Sequence, residues 1–142
     1  MKYGNLIIEE NELYLFKQLI SWAKNYKDQQ YKISISKLLE QLKQADIREH
    51  SEMPSDVVRL NASVTIKTPF QVERTYQIVT PDKSDIKTNK ISILAPMGLA
   101  LLGYAEGDTI LWEFPVGQKE IKIKKVKQLL SRIDTNIKSK AS

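Results

Sequence analysis

The chain has 142 residues, 42% of them hydrophobic, a size that suits one compact domain with a small appendage and leaves no room for two large ones. It has no cysteine and a single histidine, His50, which excludes disulfides, thiolate chemistry, a His/Cys zinc cluster and a His-based triad. The formal net charge of +5 is uneven: residues 1–50 carry 8 Lys and Arg against 7 Asp and Glu, residues 51–116 carry 6 against 8, and residues 117–142 carry 8 against 2. The basic excess at the C-terminus suits a weak nucleic-acid contact or an acidic protein partner, or simply a solvated strand face and tail. Apolar runs fall far short of the ~20 residues of a membrane span and no signal-peptide series is present, so a cytoplasmic chain without membrane contact is expected.

From Glu10 to about Tyr26, Leu13, Phe16, Leu19, Ile20 and Ala23 recur every three or four residues, which predicts an amphipathic helix. The polar stretch Asn25 to Tyr31 predicts a loop. Leu38, Leu39, Leu42 and Ala45 then restore a helical stripe, with Ser34 or Ser36 as its N-cap. Two helices joined by a short loop predict an antiparallel helical hairpin over residues 1–50. The pattern breaks at His50 to Pro54, since proline disfavours helix in the residue before it. The period then becomes two: Val64 and Ile66, Tyr76 and Ile78, Ile91 and Ile93, Ile110, Trp112 and Phe114, and Ile121 and Ile123 alternate with their neighbours, predicting strands. Ile110, Trp112 and Phe114 share one face, read as core packing and not as a ligand cavity. Pro96 suits a first helical position and Gly103 a left-handed cap, so one short helix interrupts the strands. The expected architecture is α+β: the hairpin over 1–50, an antiparallel sheet with one short helix over 51–130, and a basic flexible tail over 131–142.

The run from Ile91 to Gly103 (ISILAPMGLALLG), continuing to Val126, resembles the C-terminal domain of the Gre transcription elongation factors. The residues that carry the likeness are a strand ending in Pro96, then Gly98, the Ala100-Leu101-Leu102-Gly103 run, Gly107-Asp108, and Pro115 with Gly117. Tyr76 to Asp85 fits as well, and Glu52 to Val64 is similar to the domain entry of the Rnk-type proteins, regulators of nucleoside diphosphate kinase with a shorter hairpin. The resemblance implies an FKBP-like fold that binds RNA polymerase at the β′ rim of its secondary channel. It places the polymerase contact on Ser92, Leu94, Pro96, Met97 and Gly98.

In Gre factors a long hairpin carries two acids at its tip, which help to hold a metal ion for cleavage of a backtracked transcript. Here the tip residues Lys27, Asp28, Gln29 and Gln30 include one acid, and Lys27 and Lys32 make the tip positive. One carboxylate cannot both bind a hard cation and orient a nucleophile, and helices of about 12 to 17 residues reach only ~18–25 Å. The expectation is a regulator without catalytic residues, metal or cofactor, which competes with cleavage factors on polymerase. Three alternatives stay open: a factor that stimulates transcript cleavage, a peptide-binding or prolyl isomerase module, and direct nucleic-acid binding through the basic C-terminus.

Overall fold

The computed structural model describes residues 1–23, 29–114 and 116–129, with the side chains of 22, 23, 29–31, 34, 37 and 114 left aside. Strand β1 (Ile7–Glu9) runs directly into helix α1 (Glu10–Ala23). The Glu9 carboxylate accepts the backbone N–H of Glu12 at 2.9 Å, which satisfies one of the free donors of the first helical turn and sets a negative charge at the helix N-terminus. Phe16, Leu19 and Ile20 are buried and Tyr14 faces solvent, as the three-and-four spacing requires.

Helix α2 (Gln29–Leu42) starts earlier than the sequence suggests, and Ser34 and Ser36 lie inside it. Its buried stripe is Ile35, Leu38 and Leu42, whereas Leu39 is turned to solvent. Ile35 is the first rung of that stripe, so the turn before it is already helical, and a serine in a helix interior costs only about half a kcal/mol. The loop expected over residues 25–31 is therefore shorter at its C-terminal end. The turn that would join α1 to α2 lies outside the described residues.

Beyond α2, strand β2 (Asp46–Arg48) pairs in parallel with β1, Ile7 beside Asp46 and Glu9 beside Arg48. This two-stranded pair was not foreseen. It brings the two ends of the helical segment together at its base. A 3-10 turn at His50–Glu52 then leads past Pro54 into the sheet.

The main sheet has the order β5-β4-β3-β7-β6, formed by β3 (Ser63–Lys67), β4 (Glu73–Val79), β5 (Lys90–Ser92), β6 (Thr109–Phe114) and β7 (Gly117–Lys127). Three of its four pairings are antiparallel, but β4 and β5 run parallel, with Ile78 beside Ile91. That corrects the all-antiparallel expectation. After Val79 the chain makes two 3-10 turns, at Pro81–Lys83 and Ile86–Thr88, and re-enters in the same direction; side-chain alternation is identical for either direction, so the sequence pattern cannot report it. The short helix α3 (Pro96–Leu101) follows β5 and ends before Gly103, whose φ of +82° is the left-handed conformation expected there.

One cluster of buried residues takes Val64, Ile66, Ile78, Ile121 and Ile123 from the sheet, Leu99 and Leu101 from α3, and the stripes of α1 and α2. Leu6, just before β1, and Ile8 within it join the cluster. The helical segment and the sheet thus share one hydrophobic core. Among the described residues, no helix is long and apolar enough to cross a membrane.

Candidate functional site: the corner between strand β5 and helix α3

The five residues assigned to partner binding meet in one corner. Ser92 ends β5, where its Oγ accepts the Leu94 backbone N–H at 3.0 Å and its carbonyl accepts that of Ala95 at 2.9 Å. These bonds turn the chain sharply into α3. Pro96 sits at the first helical position, where its missing N–H leaves no bond unmade. Gly98 follows from the same geometry, because a Cβ there would lie 2.4 Å from the Ser92 carbonyl oxygen and 3.1 Å from Ile93 Cα. Only a glycine lets the helix rest directly on the strand end.

The result is a rigid knuckle with Pro96 exposed, Ser92, Leu94 and Met97 half-buried, and Gly98 buried. Leu94 and Met97 pack their inner sides on the main core. A cleft of about 440 Å³ flanks the knuckle between α2, α3 and β6, lined by Ile33, Leu38, Pro96, Leu99 and Trp112 among others. Trp112 is only half-buried and faces this cleft, so the expectation of plain core packing holds for Ile110 but not fully for Trp112. The Phe114 side chain lies outside the described residues. Gln41 of α2 donates to the Tyr104 hydroxyl at 3.1 Å, which ties one cleft wall to the loop after α3.

The tip residues are only partly placed. Gln29 and Gln30 are the first two residues of α2, and Lys27 and Asp28 lie outside the described residues. Among the described residues, no three His, Cys, Asp or Glu side chains gather as a metal site.

Two polar clusters missed by sequence reasoning tie α1 and the chain start to the segment before β3. Arg59 places Nη2 2.9 Å and Nε 3.2 Å from Glu12 Oε2, with both side chains about nine-tenths buried. His50 Nδ1 lies 3.2 Å from the same Nη2, so His50 belongs to this cluster. Burial pushes the Glu12 carboxyl above the usual range, although the hydrogen bond and charge of Arg59 pull it down. The signal in the sequence was a charged Arg59 set among Val57, Val58 and Leu60. The second cluster anchors the N-terminus: Lys2 Nζ and the Tyr3 hydroxyl both bond the Asp56 carboxylate. Burial alone would raise the Asp56 carboxyl, but these hydrogen bonds outweigh it and hold the group below its ordinary value. Buried Asp108 accepts the backbone N–H groups of Ala105 and Lys2, so the turn at Gly107-Asp108 is also an anchor for the chain start.

A family model described as "Transcription elongation factor, GreA/GreB, C-term" matches residues 53–128, more than half of the chain. The chain belongs to the GreA/GreB family. It is 38% identical over 93 residues to the transcription elongation factor GreA of Hyphomonas neptunium, covering 65% of this chain and 59% of that protein. With GreA of Pelobacter propionicus it shares 37% over 94 residues, covering 66% and 60%. The chain spans about three fifths of the length of these curated relatives. A solved structure, the prokaryotic transcription elongation factor GreA/GreB from Nitrosomonas europaea, is similar at a TM-score of 0.70 and 29% identity, over 87% of this chain and 99% of that one. The mixed α+β architecture is thus a GreA/GreB-like fold. The family segment contains the whole five-stranded sheet and the knuckle, while α1 and α2 lie outside it.

Proposed function

We propose that this GreA/GreB-family chain is a cytoplasmic transcription elongation factor that docks on RNA polymerase through the β5–α3 knuckle, at the β′ rim of the secondary channel. The observation that carries the proposal is that the matched family segment, residues 53–128, contains every residue from Ser92 to Gly98. The knuckle suits a protein contact physically, since an apolar point at Pro96 flanked by Leu94 and Met97 is held rigid by the close approach at Gly98. Docking then orders few side chains. The proposed division is an arm over 1–50, an FKBP-like adaptor over 51–130 and a basic tail over 131–142. The adaptor acts by binding, so a prolyl isomerase assay is expected to be blank.

What the arm does admits two readings. The curated relatives carry the name GreA, which favours the first: α1 and α2 form a hairpin that enters the channel, and the docked chain stimulates the polymerase's own cleavage of a backtracked transcript. The second, a non-cleaving Rnk-type regulator that competes with cleavage factors, draws on two features of the arm. Helices α1 and α2 have 14 residues each, a reach of ~21 Å at ~1.5 Å per residue, and Asp28 is the one acid among residues 25–31. A single carboxylate at the tip does not fit a paired-carboxylate metal site.

Stalled, backtracked transcription complexes separate the readings. Shortened transcripts on addition of the chain support the first. Unchanged transcripts, together with suppression of cleavage by an added Gre factor, support the second. A chain that fails to bind polymerase at all overturns both.

A further inference from the structure

Strand β7 carries a β-bulge against β3: Thr65 lies opposite Lys125 and Ile66 opposite Ile123, so Lys124 is an extra residue. A bulge sets two residues against one and re-aims a side chain. Here the buried positions are Ile121, Ile123 and Val126, spaced by two and then by three, and Lys122, Lys124, Lys125 and Lys127 are all exposed. The bulge therefore turns four lysines out of six consecutive residues onto the outer face of the sheet. Lys67 of β3 stands directly opposite Lys122, a like-charge cross-strand pair that is unfavourable without a counter-anion.

The carboxylates on this face do not balance the lysines. Glu73 lies opposite Lys67 and contacts Lys124 at 3.3 Å, and Glu120 shares the exposed side of β7 with Lys122. Glu113 of β6, opposite Gln118, is on the same face, so two positive charges of the five remain in excess. Between the lysines lie the hydroxyls of Ser63, Thr65 and Thr75, the last two 2.8 Å apart.

We propose that this outer sheet face binds the phosphodiester backbone of a nucleic acid. Charge complementarity gives the sign, and spacing favours phosphates over scattered carboxylates. Alternate residues of a strand are ~6.6–6.8 Å apart, so Lys125 and Lys127 present two charges at a regular spacing along one line, as suits the regularly repeating charges of a phosphodiester backbone. The hydroxyls add neutral donors to phosphate oxygens. The outward residues of β3 and β4 include no aromatic ring, so bases have no stacking platform and binding is independent of sequence. This surface is separate from the knuckle and does not depend on the polymerase reading.

The test is fluorescence anisotropy of the full chain with a labelled single strand and a labelled duplex, each about 20 nucleotides long, titrated between ~50 and ~200 mM salt. Binding of either probe with steep loss at higher salt is expected. The triple variant Lys122→Gln/Lys125→Gln/Lys127→Gln is expected to bind at least about tenfold more weakly, with a salt slope lower by ~2–3. The variant Lys17→Gln/Lys43→Gln/Lys87→Gln changes net charge equally on other exposed surfaces, and is expected to bind like the parent. All these lysines are solvent-exposed, so circular dichroism melts should coincide. The proposal is overturned by absence of binding at low salt, by equal loss in both triple variants, by an unaltered sheet variant, or by polyglutamate displacing the probe as well as unlabelled nucleic acid does.

Discussion

Replacing Gly98 with alanine inserts a methyl group 2.4 Å from the Ser92 carbonyl oxygen and 3.1 Å from Ile93 Cα. An ordinary carbon–oxygen contact is about 3.3 Å or more, so α3 must retreat from β5 by roughly 1 Å. The obstructing atoms are backbone, and no side-chain rotation relieves them. Overpacking of this kind costs about 1–3 kcal/mol, and alanine returns up to ~1 kcal/mol of helix propensity over glycine. The expected net loss is about 1–2 kcal/mol, a fall in melting temperature of ~3–6 °C for a chain of this size. Urea and thermal melts followed by circular dichroism measure it. Because the retreat carries Pro96 with the helix, polymerase affinity should also fall at temperatures where both proteins are folded. A Gly98→Ala variant as stable as the parent, with unaltered binding, would refute the close-approach reasoning.

Removing Arg59 leaves Glu12 buried without its partner, so Arg59→Met should cost about 3–5 kcal/mol in urea unfolding. The double variant Glu12→Leu/Arg59→Met should recover most of that loss, since it removes both buried charges. The Glu12 carboxyl has a folded-state pKa above its unfolded value, so its charged form is penalised by folding, fully above the folded pKa and not at all below the unfolded one. The parent should therefore gain stability relative to Glu12→Gln as pH falls from 7 toward ~4.5, read as a shift in the difference of their urea midpoints. Asp108→Ala strands the backbone N–H groups of Ala105 and Lys2 and should cost about 1–3 kcal/mol, with faster hydrogen exchange at both amides.

Elements with a sustained period were legible in the sequence, and those defined by partners were not. Phe16, Leu19 and Ile20 announce α1, and the alternations around Val64, Ile78, Ile110 and Ile121 announce four strands. Strands β1 and β2 have three residues each, too few to display a period of two, and their meeting depends on a helical segment between them. The start of α2 was misplaced because Gln29 to Ser34 are mostly polar and serine is as much a cap as a helix residue. The parallel direction of β5 leaves no trace in its alternation. Nor can sequence pair Glu12 with Arg59 across 47 positions.

The knuckle residues were found through family resemblance, whereas the steric need for Gly98 comes from the distance to Ser92. The bulge in β7 did leave a mark. The slip from a spacing of two, Ile121 to Ile123, to one of three, Val126, shows where consecutive lysines must share a face.

Docking is tested most directly by the equilibrium affinity of the full chain and of Pro96→Glu for bacterial core RNA polymerase, measured by competition with a labelled Gre factor. Pro96 is exposed at the first turn of α3, where a carboxylate suits the helix N-terminus, so the variant should fold while its surface gains a charge. The expected result is displacement of the Gre factor by the parent chain and an affinity at least about tenfold lower, ~1.4 kcal/mol or more, for Pro96→Glu. A parent chain that leaves the Gre factor in place, or a variant that displaces it equally well, contradicts docking through the knuckle.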